Sequence, residues 1–92
     1  MPRIPIAAGN WKMNKTSQEA SAYAEAFLPQ TKDFKKEVEI IICPPFTALP
    51  TLASYFRNSP VKLGAQNMHW EEKGAFTGEV SAPMIKEWGC QY

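Results

Sequence analysis

The run Val38-Glu39-Ile40-Ile41-Ile42-Cys43 does most to narrow what this chain can fold into. It is β-branched and nearly continuous, as expected of a strand covered on both faces inside a parallel sheet. Pro44-Pro45 ends it. Ile4 to Ala8 reads as an earlier strand, with pairing that starts near Pro5 because a proline is awkward within a sheet. Val61 to Ala65 reads as a third.

Helix-period segments lie between the strands. Thr16-Ser17-Gln18-Glu19 is a capping-box pattern, in which a threonine hydroxyl and a glutamate carboxylate satisfy free amides at a helix start. Ala20, Tyr23, Ala24, Phe27 and Leu28 then form one apolar face, and Pro29 marks the exit. Thr47 is placed to cap a second helix with the stripe Leu49, Leu52, Ala53 and Phe56, and Pro50 is tolerated in its first turn. A long loop from Gln66 to Val80 contains Gly74 and Gly78. Ser81 then caps a short helix with Pro83 in its first turn, and Gly89 suits the left-handed position just past its end. Cys90-Gln91-Tyr92 reads as the opening of a fourth strand.

The class is therefore α/β, with the order βαβαβα followed by the start of a fourth strand. Short connections and right-handed crossovers turn that order into a parallel sheet with helices packed on it. A chain that stops as a strand begins leaves an unpaired sheet edge and uncovered apolar faces, which folded proteins avoid. Residues 1–92 are expected to be one domain, incomplete at the C-terminus, and the first part of something longer.

Charge and cysteine content bound the partners. With 10 basic and 9 acidic residues, the formal charge of +1 suggests neither a nucleic-acid groove nor a membrane-seeking face. A small molecule or another protein is the expected partner. Cys43 and Cys90 have neither the density of a disulfide scaffold nor the spacing of a zinc site, which fits a reduced, cytoplasmic setting. The apolar run near the start is shorter than a signal-peptide core and far short of a membrane span. Asn14-Lys15-Thr16 matches an N-glycosylation acceptor, but no secretory signal accompanies it.

Working groups of parallel α/β folds lie at the C-terminal ends of strands, and Ala8-Gly9-Asn10-Trp11-Lys12-Met13-Asn14 sits there. Asn10 offers amide donors and acceptors, and Lys12 a positive charge that would attract a phosphate or carboxylate and stabilise a developing oxyanion. Position alone leaves open an ordinary solvated lysine beside a turn asparagine. Four motifs add to it: AGNWKMNKT in the first loop, CPPFTAL after the second strand, AQNMHW after the third, and GAFTGEVSAPMIKEWG beyond. Together they resemble, in order and at compatible spacings, the N-terminal portion of triosephosphate isomerase, and the match runs from about residue 3 to the end.

The resemblance implies a (β/α)₈ barrel, cytoplasmic and homodimeric, that interconverts dihydroxyacetone phosphate and glyceraldehyde 3-phosphate through an enediolate without metal or cofactor. It makes Asn10 a substrate-binding amide, and Lys12 both a substrate-binding and a catalytic cation. It gives Gly74, Ala75, Phe76, Thr77, Gly78 and Glu79 as the tip of a loop interlocking with the other subunit, Thr77 approaching the partner's active site. Met13 and Asn14 would lie in the pocket receiving that tip, and Gln66 and Asn67 would support site and interface. The family's catalytic histidine follows the fourth strand and its glutamate base the sixth, so both fall outside these residues. The chain alone is expected to be inactive. His69 matches no catalytic position and reads as an exposed or interface histidine; Glu79 falls on an interface glutamate and not on the base.

Trp11, Trp70 and Trp88 are spaced for packing or interface roles more than for a shared stacking platform, and Cys43 reads as a core thiol. Two competing functions stand beside the isomerase. One is a non-catalytic partial barrel that self-associates or binds a complementary fragment through its exposed edges. The other, a flavodoxin-like or Rossmann-type nucleotide binder, shares the βαβ order but lacks GxGxxG and GxxxxGK[ST] turns.

Overall fold

Strand β2 (Glu39–Cys43) lies at the centre of a three-stranded parallel sheet, between β1 (Ile6–Asn10) and β3 (Val61–Leu63). The computed structural model describes residues 3–33 and 37–92. The register sets Ala8 beside Ile41, Asn10 beside Cys43, and Ile42 beside Leu63. Side chains alternate across a strand, so Ile40, Ile42, Val61 and Leu63 share one face, while Asn10, Ile41, Cys43 and Lys62 share the other. Ile40, Ile41 and Ile42 are all buried, as the continuous apolar run predicts.

Two helices cover the first face. In α1 (Ser17–Phe27) the capping box forms as expected: the Glu19 amide donates to the Thr16 hydroxyl at 3.2 Å, and the Thr16 amide donates to the Glu19 carboxylate at 2.9 Å. Those bonds hold the Glu19 carboxyl below its ordinary range. Ala20 and Ala24 are fully buried, their small side chains leaving room for α2 (Leu49–Phe56) to approach. Leu49, Leu52, Ala53 and Phe56 of α2 complete the core with Ile40, Ile42, Val61 and Leu63. Trp11, Tyr23 and Phe27 pack against its edge, Trp11 meeting Tyr23 edge-on at 4.9 Å. Pro29 ends α1 by starting a 3₁₀ turn at Leu28–Thr31.

Several expected boundaries are corrected. The first strand begins and ends two residues later than Ile4 to Ala8, which brings Asn10 into the sheet. The third strand stops at Leu63, although Gly64 still donates to the Ile42 carbonyl at 3.0 Å. Thr47 caps nothing: it lies inside a 3₁₀ turn, Phe46–Ala48, and α2 starts from Ala48 without a side-chain cap. Pro50 at the helix start removes one of the amides that such a cap would have served. Ser81 does precede α3 (Ala82–Glu87), but its hydroxyl is buried with no hydrogen-bond partner instead of capping the helix. Gly89 takes the left-handed conformation, φ +82°, and donates to the Lys86 carbonyl. Beyond it, Gln91 donates to the Leu63 carbonyl and Ala65 to that of Tyr92, at 3.0 and 2.9 Å, so Cys90–Tyr92 runs beside β3 without being a regular strand.

On the second face Glu39 pairs with Lys62. The Glu39 carboxyl is held below its ordinary range by hydrogen bonding to Lys62 and then Tyr92, and the same contact with Glu39 pushes the Lys62 ammonium up. A depressed acid stabilises the fold above its unfolded pKa, and that contribution is lost as pH falls through its folded value. Replacing Glu39 by Gln should therefore lower the thermal midpoint at pH 7, the difference starting to shrink as the pH falls below about 4 and vanishing below the carboxyl's lowered folded value. A midpoint difference that persists in acid would refute the pair. In the core, Leu52→Ala should cost about 2 to 5 kcal/mol in denaturant unfolding, since Leu52 is fully buried and its cavity cannot be filled without moving α1 or β3.

Candidate active site

The C-terminal ends of the three strands converge on the loop between β1 and α1. Trp11 donates its amide to the Cys43 carbonyl at 3.0 Å, extending the β1–β2 ladder one step past Asn10. There the chain turns. The Asn10 side-chain oxygen accepts the Lys12 amide at 2.9 Å, an Asx turn, and Asn14 donates to the Trp11 carbonyl at 2.7 Å. Lys12 itself has φ +55°, in the left-handed region that costs a non-glycine residue about 1 to 3 kcal/mol. Lys15, with φ +76°, places its ammonium 5.6 Å from the Trp11 ring and 5.8 Å from Tyr23.

This geometry separates the two candidate side chains chemically. Asn10 has its oxygen engaged within the turn, which leaves its NH₂ group to face an incoming oxygen acceptor. Lys12 is exposed and carries its positive charge at the same rim. Gln66, just beyond β3, reaches back: its Nε2 donates to the Lys12 carbonyl at 3.0 Å and to the Cys43 carbonyl at 2.8 Å. An amide donor paired with a cation suits an anion or a polarised carbonyl. Among the described residues no group of His, Cys, Asp or Glu side chains is arranged to hold a metal ion, and no helix is long and apolar enough to cross a membrane.

The structure brings Asn10, Lys12, Met13, Asn14 and Gln66 together and sets residues 74–79 apart in the long loop. Met13 is 94% exposed. Asn67 turns back on itself, its side-chain oxygen accepting the Met68 amide at 2.8 Å. Gly74 to Glu79 are all exposed, and the turn closes where the Glu79 amide meets the Phe76 carbonyl at 3.0 Å. His69 departs from expectation. It is buried, its ring stacked on Trp70 at 4.4 Å and tilted against Phe76 at 4.2 Å, and its Nδ1 accepts the Glu71 amide at 3.0 Å. Trp70 leaves 82% of its surface exposed beyond that stack, so packing describes Trp11 far better than Trp70.

Cys43 is only partly buried, less enclosed than a core thiol, and burial pushes its thiol up, as it does that of Cys90. Neither is an activated nucleophile. A cleft of about 370 Å³ runs along β3 and the ends of α2 and α3 past Arg57, Lys62 and Trp88; it includes none of Asn10, Lys12 and Gln66. Two features of the site went unread in the sequence. The Asx turn was available from an asparagine two residues before a lysine in a loop; the left-handed Lys12 had no local signal, because glycine is the residue that marks such positions.

Gly74 adopts φ +146°, and a methyl group there would lie 2.6 Å from the Phe76 ring. Gly74→Ala should therefore displace Phe76 from His69, visible as a change in the imidazole proton shifts with the Trp70 contribution left in place; unchanged shifts would disprove the Phe76 contact.

Residues 5–92 match the family model described as triosephosphate isomerase. The triosephosphate isomerase of Acaryochloris marina (strain MBIC 11017) is 49% identical over 92 residues, which is 100% of this chain and 38% of that protein. That of Alkaliphilus oremlandii (strain OhILAs) is 52% identical over 92 residues, 98% of this chain and 36% of the relative. The crystal structure of triosephosphate isomerase from Bartonella henselae superposes with a TM-score of 0.83 at 34% identity, covering 98% of this chain and 35% of that one. The chain thus spans little more than a third of the length of the relatives it matches.

Proposed function

The chain belongs to the triosephosphate isomerase family, and from that premise we propose that it supplies the Asn10 and Lys12 share of an active site interconverting dihydroxyacetone phosphate and glyceraldehyde 3-phosphate. The observation carrying this reading is the left-handed Lys12 at the C-terminal rim of a parallel sheet, where its charge would meet an anionic substrate. Backbone strain at a strand end persists where surrounding contacts over-determine it, and it clusters at working sites.

The chemistry follows from the charges involved. Moving a proton off the carbon beside the carbonyl puts negative charge on the carbonyl oxygen, giving an enediolate. A fixed ammonium and an amide NH₂ stabilise that oxygen more than the neutral carbonyl it came from, which lowers the barrier. Proton transfer falls, on the family pattern, to a histidine and a glutamate beyond these residues. His69 matches no catalytic position of the family, and its ring packs against Trp70 and Phe76 in the long loop. The reaction needs neither metal nor cofactor.

In this reading residues 1–92 form one partial-barrel domain of a cytoplasmic homodimer, with no nucleic-acid or membrane partner. Gly74, Ala75, Phe76, Thr77, Gly78 and Glu79 enter the partner subunit; Met13, Asn14, Gln66 and Asn67 line the receiving side. The exposure of residues 74–79 and of Met13 supports it. A second reading, a non-catalytic module that self-associates, draws on Ile4 and Ile6 being 63% and 55% exposed at the β1 edge. Sedimentation separates them: self-association of residues 1–92 that buries β1 favours the module.

The central test uses residues 1–92 alone and spliced onto the remaining length of the Alkaliphilus oremlandii relative. The 92 residues alone should show no isomerisation above background. The completed barrel should be active, and Lys12→Ala should lower its kcat/KM by about 10²-fold or more. A Lys12-dependent rate in the short chain would overturn the predicted inactivity; an unchanged kcat/KM in the Lys12→Ala barrel would overturn the role of Lys12.

A further inference from the structure

We infer that Lys15 is a positioning residue whose ammonium, set over two aromatic rings, closes the loop that carries Lys12. The ammonium lies 5.6 Å from the centre of the Trp11 ring and 5.8 Å from that of Tyr23. Both distances fall within the roughly 6 Å over which a cation is drawn to an aromatic face. The two rings meet edge-on at 4.9 Å, so one cation serves a pair already in contact. Trp11 opens the loop and Lys15 closes it, just before the Thr16 cap of α1. Tyr23 belongs to α1 and packs with Trp11 against the core. The Lys15 side chain thereby joins the two ends of the loop to each other and to the helix that follows.

Backbone and surroundings both point to the side chain. The φ of +76° at Lys15 is one that glycine adopts freely and a lysine only under strain, so the contacts of its side chain have that cost to offset. The Glu19 carboxylate accepts the Thr16 amide at 2.9 Å, and among the described residues no carboxylate pairs with the Lys15 ammonium. Its charge meets rings instead of an acid. Lys12 and Lys15 are the two left-handed lysines of the loop, with Met13 and Asn14 between them. Asn14 donates to the Trp11 carbonyl at 2.7 Å, and the Trp11 amide is fixed to the Cys43 carbonyl. Releasing the ammonium frees the Trp11 ring and the last residue before the cap together. The segment between them, which includes Lys12, then loses its fixed span.

This inference rests on Lys12 being the working cation, and the experiment separates the two claims. In the completed barrel described above, Lys15→Met and Lys15→Arg are measured for kcat, KM, thermal midpoint and the NMR shifts of the Lys12 backbone and the Trp11 indole. Lys15→Met should lower kcat about fivefold with little change in KM and should shift both sets of resonances. Lys15→Arg, which keeps a cation for the rings, should restore most of the rate. Unchanged Lys12 and Trp11 shifts in Lys15→Met, an equal loss in both variants, or a loss that tracks only the unfolded fraction overturns it. If Lys12→Ala lowers kcat/KM while Lys15→Met does not, the positioning role fails alone; if Lys12→Ala has no effect, the functional reading itself has failed. A measurement on the unsubstituted barrel guards against variants that do not fold: ring currents should move the Lys15 Cε protons upfield of those of a free lysine, and free-lysine shifts overturn the inference.

Discussion

The carbonyl of Cys43 is the point from which the candidate site hangs. It closes β2, accepts the Trp11 amide and also accepts a hydrogen from Gln66, so three strand ends meet at one oxygen. Its position is set by burial of Ile40, Ile41 and Ile42 just before it. Each fully buried isoleucine is worth about 1.5 to 3 kcal/mol, against about 1 to 3 kcal/mol for one left-handed lysine. The core therefore outweighs the strain. A single hydrogen bond, contributing about 0.5 to 1.5 kcal/mol net, would not do so alone, which is why the loop uses several.

The long loop after β3 follows a different logic. It reaches away from the sheet and organises itself around His69, whose ring stacks with Trp70 and Phe76 while its amide donates to the Val80 carbonyl at 2.8 Å. Aromatic contacts of this kind add about 0.5 to 1.5 kcal/mol each beyond the area they bury, enough to give a protruding loop one shape. Gly74 makes the turn that lets Phe76 fold back. A loop shaped by its own side chains can present residues 74–79 to solvent without borrowing from the core.

Much of the fold was legible because it is encoded locally. The unbroken apolar run gave the central strand, the Thr16–Glu19 pattern gave a helix start whose two reciprocal bonds form, and Gly89 marked the end of α3. Thr47 misled because a threonine before an apolar stripe signals a cap, while the chain instead makes a 3₁₀ turn and lets a proline remove an amide. Ser81 misled for another reason: its hydroxyl is buried and bonds to none of the amides it precedes. His69 reads as an exposed or interface histidine from its place in the long loop, but two nearby aromatic rings bury it.

The sequence by itself determined the order of strands and helices, the parallel class, the family resemblance and the placing of Asn10 and Lys12 at a strand end. These follow from hydrophobic period and from residues acting on neighbours three or four positions away. Tertiary structure alone decided that Lys12 sits in a left-handed turn, that Gln66 bridges it to Cys43, and that the second sheet face pairs Glu39 with Lys62. Those contacts join residues 23 and 54 positions apart, and no local pattern carries them until packing of the isoleucines sets the strands side by side.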